Sequence, residues 1–166
     1  MGLDSPARAE LGARSTGASR ALPAAEVRCS VQRTLEVLGE RWTLLILREA
    51  FRGATRFSEF REALGIAPDV LTQRLGVLVD AGVLEKRSYR EPGSRGRDAY
   101  HLTDSGQAVK LILGALQQWG DQYRPHPDGP RVAQRRNGTG RGLRVVFVED
   151  GEPGVPLDEV NLLGER

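Results

Sequence analysis

Two short amphipathic segments separated by only three residues, Gly65-Ile66-Ala67, constrain this chain more than any other feature. The first opens near Ser58, whose hydroxyl suits an N-cap, and ends at Leu64 with Phe60 and Leu64 on its inward face. The second opens at Pro68, where a missing N–H does no harm at a first helical position. It runs to about Ala81, with Leu71, Leu75 and Leu78 spaced four and three apart, and Gly82 supplies the stop. Gly65-Ile66-Ala67 is thus a tight turn between two helices.

The flanking segments complete one small domain. Ser30 to Leu38 puts Val31, Leu35 and Leu38 on one helical face, and Gly39 ends it. Trp42 to Phe51 is apolar almost all round, which implies burial, and Gly53 ends it. After Gly82, strand-like runs Val83 to Tyr89 and Asp98 to Leu102 enclose a loop with Arg90, Arg95 and Arg97, the pattern of a hairpin with a basic tip. Thr103 or Asp104 then caps a long helix to about Tyr123, with Val109, Ile112, Leu116, Trp119 and Tyr123 expected to face inward. Leu111 and Ala115 fall on its other side, which suits a partner on each face, with scattered apolar residues on the surface as the open alternative. The fold class is mainly α with a small β-hairpin wing, a winged helix-turn-helix.

Composition sets the boundaries and the exclusions. Residues 1–27 are rich in Ala, Gly, Ser and Arg and read as a disordered tail. Residues 28–124 form the domain, and residues 125–142 (PHPDGPRVAQRRNGTGRG) form a linker. Residues 143–166 form a strand or hairpin-like appendage, with Leu143 to Val148 as its strand. Deleting residues 125–166 is expected to leave dimerisation intact. The longest central apolar run is far short of a bilayer span, and the first 27 residues lack the apolar stretch of a signal peptide, so a cytoplasmic location is expected. A lone cysteine, Cys29, allows no internal disulfide. Two isolated histidines, His101 and His126, make neither a zinc set nor a catalytic triad, so no metal, no cofactor and no enzymatic activity are expected.

Helix, tight turn, helix and basic hairpin is an arrangement for double-stranded DNA. The second helix of the pair fits a major groove, and a hairpin tip reaches the flanking minor groove, where arginine is drawn by negative potential. With a net charge of only +2, contact must come from local placement of arginine. The candidates on the second helix are Pro68, Asp69, Thr72, Gln73 and Arg74. Gln73 can bond bidentately to adenine, and Thr72 can meet a phosphate or a thymine methyl. Arg90, Arg95 and Arg97 are the wing candidates, and Arg56 with Ser58 is placed to hold a phosphate at the start of the first helix. The bland alternative, polar residues facing water, is outweighed by the hairpin and its three arginines.

At these residues the chain resembles the HxlR family of bacterial regulators, relatives of the MarR regulators. The resemblance rests on GERWTLLIL, RFSEF, VLTQRL and YHLTDSG in that order and covers about residues 28–122. It implies a homodimer joined by the N- and C-terminal helices, with Val31, Leu35, Leu111, Ala115 and Trp119 at the interface, and a repressor on a near-palindromic operator. Four positions depart from the pattern: Ala67 replaces a capping serine, Asp69 a basic residue, Gly76 lies within the helix, and Cys29 lacks a following proline. Some family members sense oxidants or electrophiles through a cysteine at this position. Cys29 is the candidate redox sensor, and an inert thiol at the interface is the preferred alternative. A small-molecule effector is equally compatible. A winged helix used only for protein interaction, favoured by the low charge and Asp69, is the competing functional class.

Overall fold

The computed structural model describes residues 29–90, 96–129, 135–136, 139–148, 151 and 153–161. The expected tail, residues 1–27, lies outside them. Five helices and a hairpin follow in order: α1 (Ser30–Leu38), α2 (Arg41–Phe51), α3 (Phe57–Leu64), α4 (Pro68–Asp80), β1 (Leu84–Tyr89), β2 (Arg97–Leu102) and α5 (Asp104–Tyr123). A second small ladder pairs β3 (Arg135–Arg136) with β4 (Val160–Asn161), preceded by a 3-10 turn at Leu157–Glu159.

The core lies where α2, α3 and α4 meet the base of the hairpin. Ile46, Leu47, Phe60, Leu71, Leu75, Leu78 and Leu84 are essentially removed from water, and Val109 is the residue α5 adds. The short turn works as the sequence implies: Gly65 takes the left-handed conformation at φ 60° and Pro68 stands in the first turn of α4. Ala67, the N-cap of α4, offers no side-chain hydrogen bond.

β1 and β2 are antiparallel, in a register from Leu84 opposite Leu102 to Tyr89 opposite Arg97. A backbone bridge from Arg56 to Ala99 and a 2.7 Å hydrogen bond from Tyr100 N–H to the Thr55 carbonyl tie the entry to α3 onto the outside of this hairpin. Thr103 fastens α5 to the same corner. Its Oγ1 accepts from Gly106 N–H and donates to the Gly82 carbonyl. A Cβ at Gly106 would stand 2.2 Å from the Val83 carbonyl oxygen, so only glycine allows this approach.

Three sequence expectations change. Ser58 does not cap α3: Arg56 is the N-cap residue, and the Glu59 carboxylate reaches back to accept from Thr55 N–H at 2.7 Å and Arg56 N–H at 2.9 Å. The bridge to Ala99 holds Thr55 and Arg56 extended, which starts the helix one residue before Ser58. The expected inward stripe of α5 also fails beyond Val109, since Ile112, Leu116, Trp119 and Tyr123 are exposed. At about 100° per residue they share one outward face with Leu111 and Ala115, so the apolar residues form one outer band, not two opposed faces. Finally, Leu143 to Val148 joins no ladder, and the C-terminal strand that forms is Val160–Asn161 against Arg135–Arg136.

Candidate nucleic-acid interface

Burial of Leu71, Leu75 and Leu78 fixes the rotation of α4 and turns its other side to solvent. Pro68, Asp69, Thr72 and Gln73 are all exposed there. Thr72 Oγ1 donates to the Pro68 carbonyl at 2.8 Å, leaving its lone pairs and its methyl outward. Arg74 is placed differently. Its side chain is only 21% exposed, its guanidinium lies 3.6 Å from Glu40 at the start of α2, and its Nε finds no hydrogen-bond partner among the described residues. The residue therefore braces α4 against α2 on the protein side of the helix.

On the hairpin, Arg90 and Arg97 are exposed where the strands run into the tip, while Arg95 lies outside the described residues. Arg56 is half-buried, with its guanidinium 4.8 Å from the centre of the Tyr89 ring and 4.0 Å from Glu59. A cation held over an aromatic face is both attracted and restrained. The Thr55 and Arg56 N–H groups, just before α3, serve Glu59. What remains outward is the Ser58 hydroxyl and the Arg56 guanidinium. A cleft of about 400 Å³ lies between α3 and the hairpin, lined by Phe57, Ser58, Tyr89, Arg97, Asp98 and Tyr100.

The sequence reading missed Glu59 and Tyr89. Glu59 stands three residues after Arg56, the spacing at which a glutamate reaches back to a helix start, and that signal was available. Tyr89 was not legible, because its contact with Arg56 depends on how the hairpin docks. Arg87 is exposed on β1 and donates from Nε to Glu85 at 2.8 Å. Cys29 is exposed at the N-cap of α1. The other expected interface residues, Val31, Leu35, Leu111, Ala115 and Trp119, are all exposed in the single chain. Among the described residues no group of three or more His, Cys, Asp or Glu could hold a metal ion, and no helix is long and apolar enough to cross a membrane.

The sequence model of the HxlR-like helix-turn-helix family matches residues 37–128, more than half of the chain. The chain belongs to this family. Among similar proteins is the uncharacterized HTH-type transcriptional regulator Rv3095 of Mycobacterium tuberculosis, 43% identical over 125 residues that cover 74% of this chain and 78% of that protein. The crystal structure of PA1607 superposes with a TM-score of 0.67 at 38% identity, covering 76% of this chain and 87% of that one. The redox regulator HypR, in its reduced form, superposes with a TM-score of 0.53 at 28% identity, covering 58% and 94%. The fold is that of winged-helix transcription factors, and the chain is a transcriptional regulator of helix-turn-helix type, a class whose partner is DNA. It is such regulators, not enzymes, that the chain resembles.

Proposed function

We propose that residues 28–124 of this HxlR-like protein bind operator DNA as a homodimer, with α4 in the major groove and the hairpin tip over the flanking minor groove, and that binding represses transcription in the cytoplasm. The observation that carries the reading is the exposed polar edge of α4 (Asp69, Thr72 and Gln73) standing on a helix whose opposite side is locked into the core. Gln73 is the adenine reader, Asp69 accepts from cytosine N4, and Arg56, Ser58, Arg90, Arg95 and Arg97 contact the backbone and minor groove.

The dimer reading draws on exposed apolar surface. Val31 and Leu35 of α1 and Leu111, Ile112, Leu116, Trp119 and Tyr123 of α5 are all exposed. Taking roughly 150–250 Å² for a fully exposed large side chain, their exposed fractions amount to about 700 Å² per protomer, near the ~800 Å² per partner of a stable interface.

Selection from a random duplex pool with reduced protein tests the reading. Enrichment of a two-fold sequence with half-sites about one turn, roughly 34 Å, apart is the expected result. A folded dimer that enriches nothing would return the protein-interaction alternative. For the signal, the exposed Cys29 and the likeness to HypR favour a thiol reaction over the inert alternative. Loss of operator binding on treatment with a thiol oxidant, abolished by Cys29→Ser, is the expected result. A response that survives the substitution points to a small ligand instead.

A further inference from the structure

The C-terminal arm lies against α5 along a single stripe. Lys110, Gly114 and Gln118 recur every four residues and so stack on one face. Gln118 binds Val145 at two points: its Nε2 donates to the Val145 carbonyl at 3.1 Å and its Oε1 accepts from Val145 N–H at 2.9 Å. This copies a rung of a β-ladder with a side-chain amide and pins residues 143–148 to the helix. The 3-10 turn Leu157–Glu159 packs on the same helix. Asp158 lies close enough to raise the Lys110 pKa in part against the larger lowering caused by burial.

This docking has a consequence for the outer band of α5. Leu111, Ala115 and Trp119 are the residues immediately after Lys110, Gly114 and Gln118, so their stripe is the adjacent one. The pinned segment therefore runs along the border of the surface assigned above to the dimer. Beyond Val145, Val146, Phe147 and Val148 are all exposed, and Phe147 is completely so. At ~3.3 Å per extended residue, Phe147 lies within about 7 Å of the Gln118 clamp. These exposed apolar side chains, held close to the exposed apolar band of α5, add to the apolar surface on this side of the molecule.

We infer that the arm is part of the dimer interface, with Val146, Phe147 and Val148 of each protomer packing on the second copy of this chain beside its α5. The inference rests on the proposed dimer and reverses the sequence expectation that removing residues 125–166 leaves dimerisation intact. Adding three large apolar side chains brings the exposed surface to roughly 1,000 Å² per protomer, within the range of stable interfaces.

Sedimentation equilibrium of the full-length protein tests it. Phe147→Asp is expected to raise the dimer dissociation constant about tenfold or more, with the far-UV circular dichroism unchanged because the side chain is fully exposed. Gln118→Ala, which frees the arm but keeps its apolar residues, is expected to raise it less, and Phe147→Leu to leave it near wild type. Hydrogen exchange supplies a second readout: amides of residues 143–148 should become more protected as protein concentration rises through the dimer constant. A wild-type dimer with an unchanged constant in Phe147→Asp and concentration-independent exchange overturns the arm's role alone and leaves that surface to a different macromolecule. A wild type that stays monomeric overturns both the arm and the dimer.

Discussion

Helices α4 and α5 carry apolar stripes of similar regularity and meet opposite fates. Leu71, Leu75 and Leu78 of α4 are at most 1% exposed, whereas Leu111, Leu116, Trp119 and Tyr123 of α5 keep 49–59% of their surface in water. The pattern in each helix is equally periodic, and the difference is the neighbour. The stripe of α4 meets α2 and α3, which precede it closely in the chain, and β1, which follows it directly. The outer band of α5 keeps about half of its surface exposed in the single chain. Periodicity reports that a face is apolar, and it is silent on which molecule covers it.

The largest effect should come from attacking the uncovered stripe. Trp119→Glu combined with Leu111→Glu is expected to give a folded monomer by light scattering and circular dichroism. Its operator affinity should fall by about 100-fold or more, because the two half-sites are then gripped separately. A variant that remains dimeric would show that α5 is not the contact. The covered stripe should respond in the other currency. Leu75→Ala is expected to lower stability by about 2–5 kcal/mol in denaturant unfolding, with dimer dissociation of the folded fraction unaffected. Should Leu75→Ala dissociate the dimer at unchanged stability, the contrast between the helices would collapse.

The same contrast marks what was legible in the sequence. The α2–α4 core and hairpin could be read because each part carries a local signal: left-handed Gly65 and Gly82, Pro68 opening α4, and heptad-like leucines between them. The exposed polar edge of α4 followed, since fixing Leu71, Leu75 and Leu78 inward leaves Asp69 and Gln73 outward. Features set by tertiary contact were not readable. Arg74 turns toward Glu40 because α2 passes beside it, and Arg56 rests on Tyr89 because the hairpin folds back over α3. Leu143 to Val148 has the composition of a strand, yet Gln118, 27 residues earlier in the chain, supplies the partner amide. The outward turn of α5 was missed because an apolar residue on a helix is presumed to face its own core.

Wing substitutions sharpen the comparison on the DNA side. Arg95→Ala with Arg97→Ala, which removes four arginines from the dimer, is expected to leave unfolding unchanged, to weaken operator binding about tenfold or more, and to reduce the slope of log affinity against log salt by about 4. An unaltered slope would remove the hairpin from the backbone contacts, even if affinity fell.

Gly76 yields the smallest effect and separates stability from recognition within α4. It sits in the helix interior, where glycine costs about 1 kcal/mol relative to alanine through lost backbone entropy. A Cβ built there meets nothing within 4 Å, so the chain itself offers no packing reason for its absence. Gly76→Ala is therefore expected to raise stability by about 0.5–1 kcal/mol, seen as a higher denaturant midpoint at constant m-value. The position falls on the polar side of α4, three residues after Gln73. If the helix is seated deep in the major groove, the added methyl meets DNA, and operator affinity should fall although the protein is more stable. A stabilised protein with wild-type affinity would mean that Gly76 stands clear of the groove and that α4 enters it by its first turns alone. Opposite signs for stability and binding would identify the glycine as a concession to the partner. That is the same logic by which α5 leaves leucine and tryptophan uncovered: each helix is suboptimal alone at the place where another molecule is expected to complete it.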